Sequence, residues 1–143
     1  MPKATVHDAK LILELYELRR EPRLREARRW FTVSFKPKTY DDYVALCPPG
    51  SETNASYRMV VTYWEMVASF LTSGVLHAEL FYQTGREMLL VWERVRDIVP
   101  DIRRHTSHAR EYRNLELAAV AYIKWWKKVS PGAHDAFSKR ARG

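Results

Sequence analysis

The chain has 143 residues, 46% of them apolar and 29% charged, with five Trp and eight Tyr. That is enough apolar surface for one domain of ordinary size and far from the composition of a disordered chain. A single cysteine, Cys47, excludes an internal disulfide, and with no signal-peptide pattern at the start the expected compartment is a reducing cytoplasm. The net charge of +7 brings nucleic acid and anionic lipid into consideration without choosing between them.

The first predicted helix runs from about Val6 to Arg20, capped by Thr5, with Leu11, Leu15 and Leu18 on one face and Ile12 and Tyr16 beside them. Pro22 interrupts it and suits the first turn of a second helix reaching about Phe35, whose inward stripe is Leu24, Ala27, Phe31 and Phe35. Arg19, Arg20, Arg23, Arg25, Arg28 and Arg29 are interleaved with Glu17, Glu21 and Glu26, which reads as a salt-bridged solvent face. After a break at Lys36-Pro37-Lys38, Thr39 and Asp42 have capping-box spacing for a short helix to about Leu46. Cys47-Pro48-Pro49-Gly50 is the strongest loop signal in the chain.

From Asn54 to Thr72 the pattern changes. Tyr57, Val60, Val61, Trp64, Val67, Ala68 and Leu71 fill one face, and Met59, Tyr63, Met66 and Phe70 fill much of the rest. Such a helix is buried on most sides. Its narrow polar stripe is Arg58, Thr62, Glu65, Ser69 and Thr72. The apolar stretch from Val60 to Leu76 is interrupted by Glu65 and is shorter than the roughly 20 residues a membrane crossing requires. Gly74 suits a left-handed cap after this helix, and His77 to Tyr82 forms a short turn of helix. Thr84 and Glu87 have capping-box spacing for a helix with Met88, Val91, Trp92 and Val95 inward, ending before Pro100. A last long helix is predicted from about Ser107 to Val129, with Tyr112, Leu115, Ala119, Tyr122 and Trp126 on one face. The reading is therefore an all-α, single-domain bundle of about five to seven helices around a buried central helix, spanning 1–130, with a basic flexible tail at 131–143.

The tract around Tyr63-Trp64-Glu65, Gly74-Val75-Leu76, Tyr82, Trp92 and Arg96, preceded by Leu24-Arg25-Glu26-Ala27-Arg28, resembles a family of small bacterial all-helical proteins known only as a domain of unknown function. The resemblance covers roughly residues 10 to 128. It implies the fold and brings no activity with it.

Glu65 is the residue that demands explanation, because an ionised carboxylate on an apolar helix needs a partner. Arg58 lies on the same face, and Arg96 and Arg103 are positioned to approach from later helices, so Glu65, Arg58, Trp64, Trp92 and Arg96 form the candidate structural or pocket cluster. His105, His108 and Glu111 fall at steps of three, but only His77 and Glu79 are even loose candidates for a second pair, so no metal is expected. Cys47 lacks a nucleophile turn or a His–Asp partnership, and no glycine-rich phosphate loop is present, so no catalytic residue and no cofactor is expected. Candidate anion-binding residues are Arg103, Arg104, Arg110, Arg113, Lys124, Lys127 and Lys128.

These readings favour a non-enzymatic protein-association module acting as a homodimer or with a protein partner, since the aromatic content exceeds what one small core hides. The alternative is a binder of nucleic acid or an anionic membrane surface through the basic C-terminal face. Third comes a small-molecule or enzymatic pocket around Glu65.

Overall fold

A computed structural model describes residues 2–143. Among them are nine helices: α1 (Val6–Arg19), α2 (Pro22–Ser34), α3 (Tyr40–Leu46), α4 (Glu52–Thr72), α5 (Ala78–Tyr82), α6 (Arg86–Val95), α7 (Val99–Thr106), α8 (Arg113–Val129) and α9 (Ala133–Arg142). The fold is an all-α bundle, two helices above the number read from the sequence. Local chemistry sets many of the boundaries. Thr5 with Asp8, and Thr39 with Asp42, close reciprocal capping boxes at α1 and α3, and Ser51 caps α4 through the Asn54 amide. Pro22 opens α2. Gly74 takes φ +81 just after α4, a backbone that a side chain would strain.

The longest helix, α4, is the centre. It lies between α2 and α8, while α6 closes the layer against α8 and α9, and α1 rests on α2 and α5. Val60, Val61, Trp64, Val67 and Ala68 on α4 are all but inaccessible. Each large side chain so buried contributes on the order of 1.5–3 kcal/mol of transfer free energy. Aromatic rings join the layers: Phe35 stacks on Phe31 at 4.7 Å and meets Tyr57 at 5.1 Å, and the Tyr57 and Tyr112 hydroxyls are 2.9 Å apart between α4 and the start of α8.

Three expectations change. The last long helix begins at Arg113 rather than Ser107, because the chain turns through left-handed Ser107 (φ 56) and Tyr112 (φ 58), and a helix that was not expected, α7, precedes that turn with Pro100 in its first turn, where no amide donor is needed. Thr84 does not cap α6; Gly85 does, without a side-chain bond, and Glu87 is used elsewhere. Where a loose tail was expected over 131–143, Ala133–Arg142 is a helix with His134 and Ala141 buried against α6 and α8.

Candidate functional site

Glu65 finds its partners on α8. One oxygen accepts from the Leu115 amide at 2.7 Å, and the other from Asn114 Nδ2 at 2.9 Å and from the Asn114 amide at 3.4 Å. The residue at the α8 N-cap position, Tyr112, provides no side-chain cap, so a carboxylate from a different helix takes up the free amides and the positive end of the dipole. Thr72 holds the other end of the arrangement by donating to Asn114 Oδ1 at 2.7 Å. The expected arginine partner is replaced by a helix N-terminus. Arg58 is exposed, Arg96 pairs with Glu93 at 3.4 Å, and Arg103 pairs with Glu116 at 3.0 Å. Trp92 is buried on α6.

Trp64, the neighbour of Glu65 in sequence, faces different surroundings. The guanidinium of Arg19 lies over its ring at 5.3 Å and over the Tyr16 ring at 5.4 Å. Arg19 and Arg28 both bind Glu87, at 3.2 Å and 3.0 Å, and Arg28 also donates to the Arg19 carbonyl at 3.1 Å. Two guanidiniums share one carboxylate, so this half-buried cluster keeps a positive charge. The salt-bridged face read along α2 is in part a connection to α6, formed because Arg19 and Arg28 turn inward. Next to it a cavity of about 370 Å³ opens between α1, α4 and α5, lined by Ile12, Leu15, Tyr16, Arg19, Trp64 and Phe81 among others. Gly85 forms part of the wall: a Cβ there would come within 2.3 Å of the Phe81 ring. No sequence pattern pointed to this cavity; the available signal was Arg19 ending an apolar helix.

A second buried polar group was missed. Glu93 accepts from Ser138 Oγ at 2.6 Å and lies 3.3 Å from His134 Nε2, both on α9. Arg94 donates to the carbonyls of Phe31 (3.0 Å), Thr32 (3.1 Å) and Phe35 (3.0 Å) where α2 ends, and to the Ala141 carbonyl near the end of α9. Burial lowers its pKa. The signal was an adjacent Glu–Arg pair inside an apolar run, Val91 to Val95.

Among the expected anion-binding residues, Arg103 and Arg104 are engaged with Glu116 and Asp101. Arg110, Arg113, Lys124, Lys127 and Lys128 are exposed and form no ion pair among the described residues. The three-residue spacing of His105, His108 and Glu111 is broken by the α7–α8 turn, and His105 stacks on Tyr40 at 4.1 Å. Cys47 is buried, which raises its thiol pKa to about 11. No described helix is long and apolar enough to cross a membrane.

The chain is an all-α bundle with an interhelical carboxylate cap, a shared arginine cluster and an adjoining cavity. The chain belongs to the family described as a domain of unknown function (DUF4760), whose pattern matches residues 4–125. Comparison with curated proteins and with solved structures gave no significant match.

Proposed function

We propose that the protein is an association module whose partner is a second copy of itself, joined through the outer face of α1. One observation carries this reading: α1 exposes four large apolar side chains among the charged ones on its solvent side. Val6 is 69% exposed and Leu13 67%, with Tyr16 and Leu18 more than half exposed. Val6, Lys10, Leu13, Glu17 and Arg20 follow one another at steps of four and three, the spacing of a helix seam. Crossing two α1 helices antiparallel with the axis between Leu13 and Glu14 places Lys10 of each copy opposite Glu17 of the other, so these two positions are complementary in charge across a two-fold contact. Sedimentation equilibrium at high micromolar loading is expected to give a dimer, and Leu13→Glu a monomer. Lys10→Glu and Glu17→Lys are each expected to weaken the dimer about tenfold, and the double exchange to restore it. A wild-type chain that stays monomeric at every loading overturns the reading.

A second reading has its own support. The outward face of α8 carries Arg113, Leu117, Val120, Lys124, Lys127 and Lys128, all exposed. A basic face with two aliphatic side chains suits an anionic surface. Pelleting with phosphatidylglycerol vesicles, with phosphatidylcholine vesicles and duplex DNA as comparison arms, tests it at low and high salt. Absence of binding at low salt removes it.

A further inference from the structure

The cavity between α1, α4 and α5 contains more than apolar wall. Its size, about 370 Å³, falls within the roughly 300–1,000 Å³ of small-molecule sites, and its composition, mostly apolar and aromatic with few polar groups, is the one such sites share. Two of those polar groups are donors without acceptors: Trp64 Nε1 and Arg19 Nε are both buried and make no hydrogen bond. Trp64 itself is only 1% exposed. Buried donors are nearly always paired, so an indole N–H that persists without an acceptor beside a cavity calls for an explanation. Another polar group of the lining, the Tyr63 hydroxyl, is already used in donating to the Leu15 carbonyl. The nearby carboxylate is also used, because Glu87 serves Arg19 and Arg28 together and leaves the cluster positive.

We propose that this cavity binds an apolar small molecule ending in a carboxylate, with the apolar body against Ile12, Leu15 and Phe81 and the carboxylate accepting from Arg19 and Trp64. The surrounding side chains shield the two donors from water, so the carboxylate reaches them by displacing the Arg19 side chain, the flexible member of the pair. Arg19 keeps a partner in Glu87 through Nη2 while Nε takes the ligand.

Decanoate and its neutral analogue decanol, titrated calorimetrically into the folded chain, test the proposal. Decanoate is expected to bind saturably, one per chain, and decanol about tenfold more weakly. Arg19→Gln is expected to reduce decanoate to the level of decanol, and Ile12→Trp, which fills the cavity, to abolish both. Melting curves establish that each variant is folded, and Ile12→Trp keeps the test valid should the loss of the Arg19–Glu87 pair unfold the other. No decanoate binding by the wild-type chain, equal binding of the two probes, or unchanged binding in folded Ile12→Trp overturns it. Lys10→Glu lies outside the cavity and is expected to weaken self-association about tenfold while leaving decanoate binding unchanged, so either reading fails without the other.

Discussion

At the scale of single residues, Glu65 supports the fold by meeting a helix end with a charge. Removing the carboxylate in Glu65→Ala leaves the Asn114 and Leu115 amides without their acceptor, and the loss is expected to be about 1–2 kcal/mol in urea denaturation. Glu65→Gln retains one acceptor oxygen but sets an NH2 against the donors the other oxygen served, so it loses the charge–dipole attraction and part of the bonding, about 0.5–1 kcal/mol. Equal losses in the two variants would mean that charge, not hydrogen bonding, is what α8 requires. Asp8 makes a corresponding connection between α1 and the segment after α4. Its carboxylate accepts from the Thr5 amide at 2.7 Å and the His77 amide at 2.9 Å, and these bonds lower its pKa. A carboxylate with a lowered folded-state pKa contributes stability above its unfolded-state value and loses it as the pH falls through the folded one. Below about pH 4, Asp8→Asn is therefore expected to show a shallower fall in stability than the wild type, measured by denaturation across that range.

At the scale of elements, α9 is attached by polar contacts more than by its few buried side chains. Arg94→Met removes the donor from three carbonyls at the end of α2 and one on α9. The expected loss is about 3–5 kcal/mol, with α9 becoming susceptible to proteolysis before the rest of the chain. Cleavage of α9 no faster than of α4 would show that apolar packing alone holds it. The same element marks the limit of what the sequence conveys. Helices α1, α2, α3 and α4 were legible because each has a local cap or break: Thr5, Pro22, Thr39, Gly74. The α7–α8 division and the docking of α9 were not, since they depend on left-handed Ser107 and Tyr112 and on Arg94, which acts across 47 residues to Ala141. Glu65 was legible as a charge needing a partner. The partner was not, because an amide 50 residues away leaves no local pattern.

At the scale of the whole molecule, aromatic rings and polar bonds alike join the layers, so the layers are expected to open together. Cys47 makes this measurable. The thiol is buried and its pKa is raised to about 11, so at neutral pH it is protonated and shielded. It is expected to react with an aromatic disulfide reagent only at the rate at which the chain opens, and that rate should climb steeply with urea even below the unfolding midpoint. Rapid labelling in native buffer would show that the turn after α3 opens by itself. The cavity was invisible from sequence for a related reason: its walls come from α1, α4 and α5, and only their packing creates a space. The bond from Arg94 to Ala141 also bears on how the chain is made. During synthesis the three α2 carbonyls emerge well before Arg94 does, whereas Ala141 follows 47 residues later. At cellular elongation rates that interval is roughly 2–10 s. Over that time the guanidinium has only part of its final cage and the face of α6 that receives α9 stands open to water. The newborn chain is then a different object from the finished one, a bundle with one side exposed to whatever meets it first.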